Sequence, residues 1–304
     1  MQQAGRCASD NVLVILNPTA RHGLAARLEP ALATATEAHP GWTLSVTTCP
    51  GDATRLAALA AGRDMVIVAG GDGTVHEVVN GLLQLERGRR PALAMIPAGS
   101  GDDYSRMLGI QGDAATCLSI AEAGRTRQLD AGTCDGVAFM NSFSLGLDAR
   151  VTAYVTELQK STRQTGLPLY ARGLAHILFR DYRTHELTVV GDGAEPLQVQ
   201  VLLLAAGIGP TYGGGFKILP CAVPDDGLLD VIAIAAVPLA EAMWRLPFVV
   251  TGHHLGMKPV TFTRARSLSI ASVEPILGQL DGEVIEARRF DIECLPSALE
   301  VVVP

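Results

Sequence analysis

The sequence predicts a two-part α/β chain, a doubly wound parallel sheet followed by an antiparallel β-sandwich. As far as Asp130, apolar runs alternate with amphipathic stretches, the pattern of parallel strands joined by helices. Beyond it, strand-like runs succeed one another across turn dipeptides such as Asp192-Gly193, Asp226-Gly227 and Asp281-Gly282, as in a sandwich. The length of 304 residues also exceeds what one core usually holds.

In the first part, 11–18 reads as a strand ending at Asn17-Pro18, 23–38 as a helix and 43–48 as a second strand. Then come a helix over 52–62 opened by Asp52, a strand over 64–71, a helix, a strand and loop over 91–103, and a helix over 114–124. Met65 to Ala69 form a continuous apolar run, which marks a strand buried on both faces. Val75, Val78, Val79 and Leu82 then recur at helical spacing, with Thr74 the expected N-cap. In the second part, 136–146, 185–193, 197–209, 228–237, 259–272 and 284–295 read as strands. Two helical inserts interrupt them, 152–180 and 239–252.

Composition narrows the function. A net charge of −7 disfavours nucleic acid as partner, and a hydrophobic content of 48% argues against disorder. The six cysteines form no C-x-x-C pair, so zinc and a disulfide framework are not expected. The N-terminus lacks a secretory apolar core, and no apolar run reaches the roughly 20 residues of a membrane span. A cytoplasmic protein is expected.

Three strand-to-helix loops are rich in Gly, Pro or Asn: 17–23 (NPTARHG), 70–74 (GGDGT) and 97–103 (PAGSGDD). Ligands of such sheets lie past the carboxyl ends of the strands. Helix N-termini offer unpaired N–H groups and glycines let an anion reach them, so phosphate is the first reading of Gly70–Thr74. A turn needed only for tight packing is the plain alternative. The loop is neither a Walker loop nor a G-x-G-x-x-G fingerprint. Asp72 beside a phosphate calls for a metal, a ribose or an acceptor hydroxyl. Arg21, His22 and Ser100 suit phosphate contacts, and Asp102 or Asp103 suits capping of the next helix.

In the second part, Gly213-Gly214-Gly215 lets the backbone pass close to a neighbour, and Lys217 suits a phosphate. Asp225-Asp226-Gly227 and Asp281-Gly282-Glu283 read as ordinary turns. The alternative is that these carboxylates converge on Mg²⁺, with one left as general base toward an alcohol. His253 and His254, after Gly252, suit packing or helix-dipole roles. Residues 167–183 make a cationic, apolar helix that either packs on the sandwich or lies at a membrane and lines a lipid entrance.

Taken together, NPTA, GGDGTVHEVVNGL, IPAGSGDD, FSLGLDA, YGGGFKILPCAVPDDGLLDV and LDGE, in this order, resemble the diacylglycerol kinase-type lipid kinases. Sphingosine and ceramide kinases are in that family, and NAD kinases and phosphofructokinases share its fold and GGDGT. The resemblance implies a nucleotide domain over 1–130 to which 291–304 returns, a lipid- and metal-binding β-sandwich over 131–290, and an active site in the cleft between them. It implies ATP contacts at Asn17, Pro18, Thr19, Ala20, Arg21, Thr47, Gly71, Asp72, Gly73, Thr74, Val75, His76, Glu77 and Ser100. It implies Mg²⁺ at Asp226 with main-chain oxygens of Val223 and Leu228, and an acidic position tied to the metal network at Asp130. Glu283 would be the general base, with Asp281 beside it and Asp72 as the rival for that role. Asp102 stands where the family usually has asparagine, which puts a charge in place of an amide.

The expected activity is therefore ATP- and Mg²⁺-dependent transfer of the γ-phosphate to a lipid hydroxyl, of diacylglycerol or a sphingoid lipid for instance. An NAD kinase-like enzyme with a soluble acceptor and a non-catalytic nucleotide- or lipid-binding regulator are the alternatives. The expected partners are ATP, a lipid, the inner face of a membrane through peripheral contact, and a second copy paired along an exposed sandwich edge.

Overall fold

The computed structural model describes residues 10–162, 167–213 and 215–304. Two units divide the chain: the first ends at Asp130 and takes back Ser297–Pro304, and the second is Ala131–Pro296. The returning segment starts at Ser297, later than 291. There the Ser297 N–H donates to the buried Asp130 carboxylate at 2.7 Å, which pins the segment to the first unit.

In the first unit, β1 (Val12–Leu16), β2 (Trp42–Val46), β3 (Met65–Gly70) and β4 (Ala92–Pro97) run parallel in the order β2-β1-β3-β4. Val301 of the returning segment pairs with Leu93 on the far side of β4. Strands β1 and β3 are buried along their whole length, which is why they read as unbroken apolar runs. Between strands lie α1 (Ala20–Gly23), α2 (Glu29–Ala38), α3 (Asp52–Ala58), α4 (Asp72–Leu82), α5 (Asp103–Met107) and α6 (Ala114–Ala123).

Two local expectations fail. Residues 23–38 are not one helix: Arg21 and His22 adopt left-handed φ of 51° and 55°, a 3₁₀ turn follows over Leu24–Leu28, and α2 begins only at Glu29. Pro30 lies in the first turn of α2, where its missing N–H costs no bond. Nor is Thr74 the cap of α4. Gly71 takes that place, and Thr74 is buried in the first turn, its hydroxyl accepting a hydrogen bond from Asn17 Nδ2 at 3.0 Å.

The strands of the second unit are β5 (Thr126–Cys134, starting before the boundary), β6 (Val137–Phe139), β7 (Ser142–Gly146), β8 (His185–Gly191), β9 (Leu197–Gly207), β10 (Leu229–Ala235), β11 (Val260–Ala265), β12 (Ser267–Leu280) and β13 (Glu283–Val302). All their pairings within the unit are antiparallel where the register is defined. Both β9 and β12 pair with β8 over one half and with β7 over the other, so each long strand serves two layers, as sandwich corners require. In β12 a register shift between Ala271 and Ile276 makes the bend. The stretch 259–272 is therefore two strands meeting at Arg266, and the insert 152–180 is two helices, α7 (Leu147–Ser161) and α8 (Leu167–Arg180).

One core fills the sandwich around Phe139, Phe143, Phe290 and Leu204. A second lies on the other face of β9 and β10, where α7, α8 and α9 (Leu239–Thr251) cover Leu203, Ala205 and Ile232. Burial on both faces explains the continuous apolar run in β9.

Candidate active site

The three glycine-rich loops converge. Asn17 Oδ1 accepts from the Thr19 N–H at 3.0 Å and its hydroxyl at 2.8 Å, an Asx turn at the end of β1. Gly71 and Gly99 abut: a Cβ on Gly71 would lie 2.9 Å from Gly99 Cα, and one on Gly99 would lie 2.6 Å from Gly71 Cα. A Cβ on Gly101 would fall 2.8 Å from Asp72 Oδ2. The bareness of these loops is thus demanded first by their packing against one another.

Asp72 spans the same junction, its Oδ2 accepting from the Asp102 N–H at 2.7 Å. Asp102 occupies the N-cap position of α5 with φ 51°, yet its side chain turns back to accept from the Gly99 N–H at 2.9 Å instead of capping the helix. Burial pushes the Asp102 carboxyl up. An asparagine oxygen would make the same bond, which accounts for the exchange of residues at this position. Asp103 is buried and pairs with Arg106 at 2.8 Å.

Other predicted nucleotide contacts divide into two groups. Pro18 and exposed Ser100 lie on the loops, and Ala20 and Arg21 lie in the short α1 that follows Thr19. Thr47, Val75 and His76 are buried in the unit, and Glu77 Oε2 accepts from the Ala53 N–H at 3.2 Å, tying α4 to the start of α3. Gly73 lies in the first turn of α4.

In the second unit, Asp226 and its neighbours Val223 and Leu228 share the loop before β10. Asp226 Oδ1 accepts from the Leu228 N–H at 3.0 Å, while Oδ2 lies 3.8 Å from Arg264 Nη1. Arg264 also donates to buried Asp230 at 2.9 Å. Among the described residues no three His, Cys, Asp or Glu side chains gather as a metal cage. One carboxylate with main-chain oxygens fits Mg²⁺ as a metal that arrives with phosphate and water oxygens, its usual habit.

Asp281 and Gly282 are the two central residues of the β12–β13 hairpin, with φ of 49° and 97°, as a type I′ turn requires. The Asp281 carboxylate accepts three main-chain N–H groups, from Met140 at 2.6 Å, Asn141 at 2.9 Å and Ser142 at 3.0 Å. Glu283 follows, exposed, at the start of β13. Its partner across the turn is Leu280.

A cavity opens between α7, α8, α9 and the Tyr212–Phe216 turn, lined by Val151, Leu174, Leu203, Phe216, Leu246 and Val249 among others. Its polar end is Asp148 and Tyr212. Burial pushes the Asp148 carboxyl up, and burial with the neighbouring carboxylate raises the Tyr212 phenol. Ser144 donates to Asp148 Oδ2, as does Gln279 Nε2 at 3.3 Å. Gln279 Oε1 in turn accepts from the Gly282 N–H at 2.6 Å. A hydrogen-bonded chain therefore joins the cavity to the turn that carries Glu283.

The sequence reading assigned no role to Asp148, Tyr212, Gln279 or Arg264. Gln279 left a signal, a polar residue at a buried position of a strand. The Gly213–Gly215 turn lets Tyr212 and Phe216 pair main chain to main chain, though Gly214 lies outside the described residues. Lys217 is exposed. His254 is wholly buried, its ring nitrogens facing the Ile218 and Phe248 carbonyls, and burial lowers its pKa. Helix α8 buries Leu169, Ile177 and Leu178 against the sandwich and borders the cavity with Tyr170 and Leu174.

Comparison with known proteins agrees with this arrangement. Residues 11–134 match the diacylglycerol kinase catalytic domain, and residues 141–303 match the YegS C-terminal NAD kinase beta sandwich-like domain. A Pseudomonas aeruginosa protein called "Probable lipid kinase YegS-like" is 33% identical over 97% of this chain and 95% of its own. The crystal structure of a diacylglycerol kinase from Bacillus anthracis is 25% identical with a TM-score of 0.72, covering 97% of both chains. An NAD kinase from Archaeoglobus fulgidus, solved with ATP, shares the fold alone, at 15% identity and a TM-score of 0.53 over 96% of this chain and 93% of that one. The chain therefore belongs to the diacylglycerol kinase catalytic-domain family and is an ATP-dependent phosphotransferase.

Proposed function

We propose that the enzyme transfers the γ-phosphate of ATP to the hydroxyl of a lipid whose hydrocarbon occupies the cavity between α7, α8 and α9. The observation that carries this is the pairing of an almost wholly apolar cavity with one polar end, Asp148 and Tyr212, linked through Gln279 to the turn bearing Glu283. Apolar walls select a chain, and a few placed polar groups orient its head. A soluble acceptor such as NAD would leave those walls wet.

Asn17–Arg21, Gly71–Thr74 and Ser100 line the phosphate site, the glycines letting a phosphate approach the backbone and the Arg21 guanidinium and Ser100 hydroxyl serving as donors. The buried Thr47, Val75, His76 and the α3-bound Glu77 shape the loops from behind. Mg²⁺ would be held by Asp226 with the Val223 and Leu228 carbonyls, and it supplies neutralisation of charge on the transferring phosphoryl group. Glu283 takes the proton from the acceptor hydroxyl, and Asp281 holds the turn that places it. Asp130, whose carboxylate holds Ser297, supports the site by securing the returning strand.

The test is transfer of radiolabelled γ-phosphate from ATP with Mg²⁺ to diacylglycerol, a sphingoid base and phosphatidylglycerol in mixed micelles, with NAD alongside. Label in the organic phase identifies the acceptor class. Label on NAD alone overturns the lipid reading.

A further inference from the structure

Helix α9 is apolar on both sides. Leu246 and Val249 line the cavity, whereas Met243, Trp244 and Phe248, at helical spacing on the other side, are 44%, 56% and 39% exposed. Trp244 and Phe248 meet edge to face, with ring centroids 5.8 Å apart. The Arg245 guanidinium lies over the indole at 5.0 Å and pairs with Glu241 at 2.6 Å, which leaves no uncompensated acid on the helix. Water gives no reason to display this face, since a helix normally buries one apolar stripe and wets the other. Helix α8, which borders the same cavity, has no acidic residue and exposes Arg172, Phe179 and Arg180.

We propose that the outer face of α9, through Met243, Trp244 and Phe248, docks on an anionic lipid bilayer, with the α8 arginines beside the same cavity meeting its headgroups. Trp and Arg suit the interfacial zone, where a ring sits among headgroups and a cation meets lipid phosphate. Arg172 and Arg180 give α8 local positive charge although the whole chain carries −7. The docked helix separates the bilayer from the cavity, so an acceptor lipid has a short path between them. This inference rests on the lipid-acceptor reading for its purpose, although docking itself is measured without turnover.

The chain has two tryptophans, and Trp42 is only 5% exposed, so a change in emission on adding vesicles reports on Trp244. Equimolar phosphatidylglycerol and phosphatidylcholine vesicles are expected to shift the emission to the blue and to co-sediment the protein, more strongly than phosphatidylcholine alone. Met243→Ser/Phe248→Ser, which keeps the reporter, is expected to weaken partition on the order of tenfold. It should leave phosphorylation of a short-chain, monomeric lipid unchanged. An unshifted emission with wild-type protein, or equal partition of the variant, overturns the proposal. A concentration-dependent dimer that the variant abolishes, with vesicle binding intact, also overturns it by giving the face to a second copy. Vesicle binding without phosphorylation of any lipid would uphold docking and overturn the acceptor reading instead.

Discussion

Glu283 stands exposed one residue beyond a turn whose own carboxylate accepts three main-chain N–H groups, and that contrast is why Glu283 is the proposed general base. Glu283→Gln is expected to lower turnover by about 10²–10⁴-fold while ATP binds as before, the loss typical of a general base. Turnover near wild type would hand the role to Asp72. Asp72 also has a structural task, because its Oδ2 accepts the Asp102 N–H. Asp72→Ala should therefore lose activity and about 1.5–3 kcal/mol of stability, as expected for a hydrogen bond to a charged acceptor. Asp72→Asn should recover the stability, read by thermal melting, but not the activity. A fully active Asn variant would leave Asp72 a loop fastener alone. The pattern Gly70–Thr74 announces a functional loop in the sequence, yet its physical cause was hidden there: Gly71 needs Gly99, from another loop, to explain its missing side chain.

At the scale of the element, the β12–β13 hairpin shows how a motif becomes a device. The Asp-Gly pair is legible as a tight turn because both residues tolerate φ above zero. That Asp281 would gather the N–H groups of Met140, Asn141 and Ser142 was not legible. Asp281→Ala strands those donors and is expected to cost about 2–4 kcal/mol, checked by denaturant unfolding. It should also lower turnover while ATP affinity stays unchanged, since Glu283 would lose its support. Unchanged stability would show that water replaces the carboxylate at no cost. Element type was read well in the first unit, where a buried parallel strand must be apolar throughout. It was read less well where β11 and β12 abut at Arg266 and where α7 ends, because strand breaks and helix ends depend on partners rather than period.

For the whole molecule, the chain's last residues matter beyond their number. Ser297–Pro304 return to the first unit, where Leu299, Val301 and Val302 are fully buried and the Arg90 guanidinium donates to the Ala298 carbonyl at 2.8 Å. Ending the chain at Pro296 removes, among others, the Leu299, Val301 and Val302 side chains, each worth about 1.5–3 kcal/mol when buried. The expected result is loss of cooperative unfolding of the first unit, read by hydrogen exchange in β3 and β4. Native-like protection there would show that the returning strand is an accessory. No helix among the described residues is long and apolar enough to cross a membrane.

By itself the sequence determined the alternation of strand and helix, the three Gly-, Pro- or Asn-rich loops, the sandwich that follows, and the family these motifs mark. Those features are local: periodicity, the sterics of glycine and the spacing of turn residues act over a few positions. Only the tertiary structure decided which carboxylates are engaged and where the apolar cavity lies. Asp72 meets its partner 30 residues away and Asp281 meets Met140 141 residues away. The cavity draws its walls from three helices, a strand and a glycine turn, and burial of that kind exists only once the chain has folded.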